Sequence, residues 1–465
     1  MIKALKKILF PKQTAEKRVK ARFDAASYNS ENARHWSAAD YLSADAEANE
    51  SVRRTLRVRS RYEVANNTYA KGMLLTLAND TIGTGPRIQI LGKNSEVNNT
   101  IEKAFYKWAV QVGLADKLRT MRMARCQDGE AFILLANNPG LQGNVKLDLQ
   151  LIEADRVSDP EYNNVQGRID GISFDRYGNP KSYCILRYHP GSDEANANMF
   201  ESAEIPAEHV IHYFRVDRPG LHRGIPEITP ALPLFAQLRR FTLAVLSAAE
   251  AAADFAGILY TDSPANGESD EVSPLDAIEL QRNMLLTMPG GWKMGQLDPK
   301  QPCSTYSEFK AQILNEIARC LNMPYNVAAG NSSGYNYASG RLDHQTYFKS
   351  IRVERDFIEI KVLDRIFSAW LKEYRITAGS SVPADIPFVW FWDGFEHVDP
   401  AKEANAVDIR LRNGTTTYAY EFGKQGKDWE REMEQRAKEM QKMQALGLTV
   451  SDVNVSNQSG DESDE

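Results

Sequence analysis

Cysteine and histidine are scarce in this sequence. Its 465 residues include only four cysteines (Cys126, Cys184, Cys303 and Cys320), and no two of them form a C-x-x-C pair. This spacing argues against a disulfide framework or a zinc knuckle and favours a reducing compartment. With seven histidines and no H-E-x-x-H motif, the sequence also lacks a zinc-hydrolase signature. We therefore expect no metal and no cofactor.

Long apolar runs and an excess of one charge are also missing. The most apolar stretch, 241–260, is interrupted by Glu250 and Asp254, so no membrane-spanning helix is expected. The N-terminus has lysines but no sustained apolar stretch, which argues against a signal peptide. Lysine and arginine number 56 against 62 acidic residues, a formal charge of −6. That balance argues against a protein that binds nucleic acid tightly over its whole surface, but not against one that lets DNA slide past.

The remaining composition is that of a globular protein with its own core. Hydrophobic residues make up 42% and charged residues 25% of the chain, and the length suggests two to four domains. Residues 1–22 hold eight basic groups, and three interpretations of them stay open: a partner-binding arm, a membrane-surface helix, or a solvated, poorly ordered terminus. The last fifteen residues carry five acids and no base, which predicts disorder.

Hydrophobic periodicity predicts helices followed by strands in the first half of the chain, and long helices in the second. The alternation of apolar and polar residues over 145–152 indicates a half-buried strand, and the 3,1,3,1,3 spacing of large apolar residues over 363–374 indicates one face of a helix. The fold class that follows is α+β. The predicted helices are 51–79, 99–112, 230–256, 275–286, 305–322, 341–374 and 430–446, and the predicted strands are 131–136, 145–152, 171–174, 182–188, 210–214, 291–297 and 388–392.

One hydrolase-like motif occurs in a long polar loop predicted for 322–340. Gly330, Ser332 and Gly334 fit G-x-S-x-G, which needs a strand before it and a helix directly after it. Here a proline-interrupted loop precedes the motif and more loop follows it, and the catalytic partners would have to be residues such as Asp393 and His397. A serine hydrolase that uses Ser332 is the alternative hypothesis, and a flexible loop is the preferred interpretation.

Three other candidate sites have simpler interpretations. His209 and His212 are three residues apart in a predicted strand, where they point to opposite faces and make a poor metal pair. The glycines of 83–85 indicate a turn, because no phosphate-loop lysine accompanies them. The arginines of 53–61 recur at helical spacing; they suit phosphate contact, but a solvated or inter-subunit face is preferred. The absence of an assembled active site favours a structural or assembly protein over an enzyme.

Short segments between about residues 50 and 447 occur in the order of a known family. They are 61–70 (RYEVANNTYA) leading to 83–85 (GTG), 153–157 (EADRV), 171–180 (GISFDRYGNP), 209–214 (HVIHYF), 218–220 (RPG), 223–226 (RGIP), 317–318 (IA) with 323–325 (MPY), 336–341 (NYASGR) and 398–403 (VDPAKE). This ordered set resembles the lambda-type portal protein family of tailed bacteriophages, with a minor departure at Ala338-Ser339, where the family usually has a serine pair.

The resemblance implies a portal fold with wing, two-helix stem, small α/β clip, tunnel loop and helical crown, assembled as a ring. The order of predicted elements agrees with that plan. The implied parts are a basic N-terminal arm (1–50), wing (51–229), stem helix (230–256), clip (257–304), second stem helix (305–322), tunnel loop (323–340), long helix and wing strand (341–398), crown (399–448) and acidic tail (449–465).

The resemblance also implies a function and partners. A homo-oligomer, typically a dodecamer, would form the ring at one capsid vertex through which double-stranded DNA is packaged and ejected without sequence specificity. The other implied partners are terminase, the major capsid protein, a scaffold or protease and a head-completion protein, with no membrane involved. The protein would be a virion component that passes through the host cytoplasm during assembly. A non-viral scaffold that binds partners through its helices is a third hypothesis.

The implied tunnel loop has a composition that suits contact with moving DNA. Its residues carry no fixed charge, and cationic phosphate contacts would hold the duplex tightly because each one releases counterions. Glycines make the backbone permissive, and the tyrosines offer flat amphipathic groups. The residues expected to face DNA are Asn331, Ser332, Ser333, Gly334, Tyr335, Asn336 and Tyr337.

Overall fold

The computed structural model describes residues 34–159, 167–193, 201–254, 258–261, 292–295, 306–378, 382–383, 385–394 and 400–447. Within these ranges helices and strands are mixed, so the predicted α+β class is confirmed. None of the described helices is long and apolar enough to cross a membrane. The basic arm at 1–22, the helix predicted at 275–286, His397 and the acidic tail lie outside the described residues.

Asparagine side chains set the starts of the N-terminal helices. Asn49, Asn67 and Asn94 each accept hydrogen bonds from backbone N–H groups of the first turn, which would otherwise lack partners. The cap at Asn67 divides the single helix predicted at 51–79 into two. These elements are α1 (Ala44–Glu47), α2 (Glu50–Asn66), α3 (Thr68–Ile82), α4 (Ser95–Gln111) and α5 (Leu114–Asp128).

The strands form small antiparallel sheets. β2 is central in a three-stranded sheet, with β3 on one side and β8 on the other; β4 to β7 follow one another in a four-stranded sheet. β1 pairs with β11 across some 300 residues of sequence, Ile88 facing Trp390. The strands are β1 (Arg87–Ile90), β2 (Glu130–Asn137), β3 (Leu147–Ile152), β4 (Arg168–Ile169), β5 (Ile172–Phe174), β6 (Pro180–Leu186), β7 (Ser202–Pro206), β8 (Val210–Phe214), β9 (Ile258–Thr261), β10 (Trp292–Gly295) and β11 (Phe388–Phe391).

In the second half of the chain, the regular elements of the described residues are helices apart from β9, β10 and β11. The helix predicted from Thr229 begins instead as a 3₁₀ turn, Thr229–Ala231, before α6. Two helices within 399–424 were not predicted. The helices are α6 (Leu232–Asp254), α7 (Tyr306–Arg319), α8 (Tyr325–Ala329), α9 (Tyr337–Ile358), α10 (Asp364–Ala378), α11 (Pro400–Arg412), α12 (Tyr418–Lys424) and α13 (Trp429–Ala445).

The long helix predicted at 341–374 starts earlier, ends later and contains a π-helical turn, Glu359–Leu363, between α9 and α10. A π turn shifts the residues that face one side of a helix. Before it, Tyr347 and Ile351 are buried in a core formed with α3, α6 and α7. After it, Phe367 and Trp370 are buried in a second core against α4 and β11. The change of face lets one continuous helical segment serve two cores.

Gly129 is required where α5 turns into β2. It adopts φ +92°, and a Cβ there would lie 2.5 Å from the carbonyl carbon of Ile225. Gly113, at the other end of α5, also has a positive φ of +65° but open space around its Cβ position. Both glycines are in the left-handed region that side chains disfavour.

We predict that Gly129→Ala lowers the free energy of unfolding more than Gly113→Ala. Both substitutions introduce left-handed strain of about 1–2 kcal/mol. Only Gly129→Ala adds backbone overlap, which should cost a further 1–3 kcal/mol or so, as overpacking does. Urea denaturation of the two variants beside the wild-type chain measures the difference. Equal losses would show that the turn relaxes around the new methyl group.

Candidate functional site

A short helix anchors the segment that contains the candidate loop. Pro324 precedes α8, whose Asn326 and Ala328 are buried, while Tyr325 and Val327 pack against the core shared by α3, α6 and α7. Gly330 ends the helix with φ +63°, and the Asn331 N–H donates to the Asn326 carbonyl over 3.0 Å. The candidate loop therefore leaves a fixed, buried base.

The loop itself is shorter than the predicted span of 322–340, and that prediction is wrong at both ends. α8 occupies 325–329, and α9 begins at Tyr337 because the Asn336 side chain accepts from the Ser339 N–H while the Ser339 hydroxyl accepts from the Asn336 N–H. This reciprocal capping box allows Gly340 to lie inside the first helical turn. What remains is an exposed connection, 330–336, between two helices.

Local hydrogen bonds give this connection a defined path. The Ser333 N–H donates to the Asn331 side-chain oxygen over 3.0 Å, and the Tyr335 N–H donates to the Ser332 carbonyl over 3.1 Å. The buried Asn326 amide nitrogen lies 3.0 Å from Nε2 of His344 and donates to the Ser332 hydroxyl over 3.5 Å. The loop is tied to α8 behind it and to α9 ahead of it.

The exposed part of the loop is polar and uncharged. Asn331, Ser332, Ser333, Gly334 and Asn336 are exposed, and none of them ionises. Tyr335 is half-buried; burial, and then the neighbouring Asp343, raise the pKa of its phenol, so it stays neutral near pH 7. Tyr337 is the first residue of α9. The loop can offer hydrogen bonds and one aromatic ring without charge.

The hydrolase alternative finds no matching geometry. The G-x-S-x-G elbow needs a strand before the serine, whereas the helix α8 precedes Ser332. The one described polar partner of the Ser332 hydroxyl is the amide of Asn326. Asp393 accepts instead from the Thr84 hydroxyl over 2.9 Å, which fixes the turn at 83–85. Ser332 is a loop residue.

Arg53, Arg57 and Arg61 do not form a solvated or inter-subunit face, so that interpretation is wrong for them, whereas Arg54 and Arg59 are exposed. Arg53 and Arg57 are buried on the inner side of α2, with relative exposures of 1% and 3%. Arg53 pairs with Asp170, and Arg57 pairs with Asp155 over 3.0 Å. Arg61 bridges Asp128 and Asp155, each over 2.7 Å. These side chains join α2 to the sheets rather than to phosphate.

Glu130 is the centre of this buried network. Both of its carboxylate oxygens accept from Arg223, at 2.7–3.0 Å, and His212 lies 2.9 Å away. Burial alone would raise the pKa of Glu130, but Arg223 and His212 hold that pKa well below its usual range. Burial lowers the pKa of His212, whose ring stacks between Phe132 and Phe214 at 4.2 Å. His209 is exposed beside Glu208 and lies outside this network. Within the described ranges, no three side chains of the metal-ligating types cluster together.

Sequence reasoning missed two further buried arginines, which form a separate network with Glu227 and Glu354. Arg122 and Arg125 lie on the buried side of α5 beside Leu118 and Met121, where they interrupt the apolar periodicity and hide the helix. The helix could have been detected from the helical spacing of the two arginines, which are three residues apart and share one face with those apolar residues. Glu227, their shared partner, is separated from them by some hundred residues.

Comparison with known proteins gives one consistent result. A family model described as "Phage portal protein, lambda family" matches residues 30–355. A probable portal protein of Halomonas phage phiHAP-1 is 23% identical over 428 residues, which cover 85% of this chain and 81% of that protein. Portal protein B of Escherichia phage lambda is 23% identical over 155 residues, 31% of this chain and 29% of that protein.

Solved structures of gene transfer agent particles are also similar to this chain. A chain from the virion of the native particle has a TM-score of 0.46 at 15% identity, with 85% of this chain and 93% of that chain covered. A chain from the neck of the native particle, computed with C12 symmetry, has a TM-score of 0.44 at 16% identity, with 77% and 88% covered. Neither TM-score reaches 0.5, so nothing about the assembly of this chain follows from them.

Proposed function

This chain belongs to the lambda family of phage portal proteins, and on that premise we propose that it forms the ring through which double-stranded DNA enters and leaves the phage head. The observation that carries the proposal is the family match over residues 30–355. The resemblance seen in the sequence is thereby confirmed, and with it the interpretation as a structural virion component. The serine hydrolase alternative gains no support from the family or from the geometry of Ser332.

In this proposal the loop 330–336 is the part that meets DNA. A sliding duplex must not be held by many cationic contacts, because each one releases counterions and tightens binding. The exposed loop residues, Asn331 to Gly334 and Asn336, are neutral hydrogen-bonding groups or backbone. Their base on α8 and α9 is anchored in the core, so the loop would keep its place while the duplex passes.

The stem helices offer a surface for the neighbouring copy. α6 packs on α7 through Phe241, whose ring lies 5.1 Å from that of Phe309. The side of α6 away from Phe241 nevertheless exposes Leu243 and Leu246 by more than half of their surface. Apolar side chains that cluster on an exposed face indicate a protein contact, and a second copy of this chain is the occupant that a ring requires.

The remaining assignments follow the family plan. The wing would be 51–229, the clip 257–304, the long helix and wing strand 341–398 and the crown 399–448. The strands β9 and β10, which pair within the clip segment, agree with a small α/β clip there. Terminase would dock at the clip during assembly in the host cytoplasm, and the capsid and head-completion proteins would bind elsewhere on the ring.

The proposal predicts the mass of the purified protein. At 52.3 kDa per chain, twelve copies correspond to about 630 kDa, which light scattering after size-exclusion chromatography measures directly. Leu246→Asp should shift the population to smaller species, because it places a charge in the apolar contact. Leu91→Asp, at a leucine of similar exposure away from the stem, is the control and should keep the wild-type mass. A stable wild-type monomer at micromolar concentration and moderate salt would overturn the proposal.

A further inference from the structure

A cavity of about 400 Å³ lies beside the buried arginines of α5. Its walls come from α3, α5, the segment that follows α7, and α9. The volume is within the range of about 300–1,000 Å³ that small-molecule sites occupy. Neither the loop 330–336 nor the exposed Leu243 and Leu246 of α6 contribute to it.

The lining of this cavity carries more positive than negative charge. The cations are Arg122, Arg125, Arg215, Arg319 and Lys349, and the carboxylates are Glu227 and Glu354. The buried Glu227 is shared by three of these arginines at 2.8–3.4 Å, and Arg125 also pairs with Glu354 over 2.6 Å. Asp217 pairs with Arg215 from outside the lining, so three carboxylates face five cations and two positive charges remain in surplus at the cavity.

Several donors in the cavity wall have no partner among the described residues. Arg122 is 5% exposed, and its Nε is buried without a hydrogen-bond acceptor. Arg319 at the end of α7 and Lys349 on α9 are exposed and make no ion pair with any described side chain. A buried donor without an acceptor is unfavourable, and a negatively charged ligand would supply the acceptor.

We propose that this cavity binds a phosphate-type oxyanion between Arg319 and Lys349, with the buried arginines of α5 behind it. A phosphate group carries about −1.5 to −2 charges at pH 7, which matches a site with two surplus cations better than a monovalent anion does. Guanidinium groups bind phosphate oxygens through paired N–H donors, and lysine binds them as a point charge. All the side chains of the site belong to a single chain, so the site does not require assembly of the ring.

Isothermal titration of inorganic phosphate into the full chain, at constant ionic strength in chloride, tests the site. The wild-type chain should show saturable binding. Arg319→Ala combined with Lys349→Ala should weaken it about tenfold or more, because charge-assisted hydrogen bonds are lost. Lys349→Arg keeps the charge and should retain binding in the otherwise wild-type chain. Arg352→Ala, at an exposed residue one turn further along α9, is the matched control and should bind phosphate within about twofold of the wild-type chain.

A competition experiment identifies the source of the phosphate. Displacement of inorganic phosphate by a short duplex DNA of random sequence would support the site and assign it to the DNA backbone. Binding of phosphate without displacement by the duplex would support the site as one for a free oxyanion. Absence of saturable phosphate binding by the wild-type chain would overturn the proposal. Equal weakening in Arg352→Ala and in the double variant would overturn it too, because general surface charge would then explain the signal.

Discussion

Heads built with Ser332→Lys and Ser333→Lys together should contain far less full-length DNA than wild-type heads, with a drop of about tenfold or more. The two serines are exposed at the tip of the loop 330–336, and in a dodecamer the change adds two dozen cations around the channel. Each cation that contacts a phosphate releases counterions and strengthens binding, so the duplex should stall. Quantification of packaged DNA per head measures the effect.

The matched control is Ser332→Gln with Ser333→Gln, which adds side chains of similar length without charge. Those heads should fill nearly as the wild type does. Both double variants should keep the wild-type oligomeric mass, because neither serine is buried. Normal filling of heads that carry the lysine variant would show that the loop does not meet DNA, and the tunnel-loop assignment of Asn331 to Tyr337 would be wrong.

Glu130→Gln should destabilise the chain by about 3–5 kcal/mol, the usual result of breaking a buried ion pair from one side. The amide keeps the shape of the side chain but removes the charge that pairs with the fully buried Arg223. Asp170, the other carboxylate beside Arg223 at 3.0 Å, also pairs with Arg53 and cannot neutralise both guanidinium groups. A loss of this size is a large part of the 5–15 kcal/mol or so that stabilises a typical domain. Thermal and urea unfolding of the wild-type chain and of Glu130→Gln measure this loss of stability.

Glu201→Gln is the control for this substitution. Glu201 pairs with Arg187 over 2.7 Å, but both side chains are about half exposed, and exposed pairs contribute about 0–1 kcal/mol. If the free energies of unfolding of Glu130→Gln and Glu201→Gln are equal within error, Glu130 does not have the central role assigned to it.

The stability of the wild-type chain and that of Glu130→Gln should depend differently on pH. Folding lowers the pKa of Glu130, so its contribution to stability is complete above the ordinary glutamate pKa of about 4.3 and is lost as the pH falls through the folded-state pKa. Folding also lowers the pKa of His212, which removes stability as the pH falls below about 6.5. The wild-type chain should therefore lose stability in acid, and Glu130→Gln should lose less below pH 4.

Elements with one repeating local signal could be predicted from the sequence. The alternation over 145–152 became β3, and the spacing of large apolar residues over 363–374 became the buried face of α10. α5 was missed because Arg122 and Arg125 occupy its buried side, and their burial depends on Glu227 and Glu354 from distant parts of the chain. No local pattern reports such a pairing.

The candidate loop was predictable in its chemistry but not in its extent. Its neutral polar composition is visible in the sequence. Its end depends on the capping box between Asn336 and Ser339, which starts a helix in spite of the unfavourable Gly340. Its beginning depends on α8, which packs against a core made by other helices. Arg53 and Arg57 were misjudged for a similar reason, because their acidic partners lie on β2 and in the segments that follow β3 and β4.

Electron microscopy of the purified full-length chain should show a rotationally symmetric ring with an open central channel that admits B-form DNA. Residues 331–336 of every copy should lie at the wall of that channel. Images that show separate monomers, or an assembly with no central channel, would contradict the proposed ring. A ring that carries these residues on its outer rim would contradict the assignment of the DNA-facing loop.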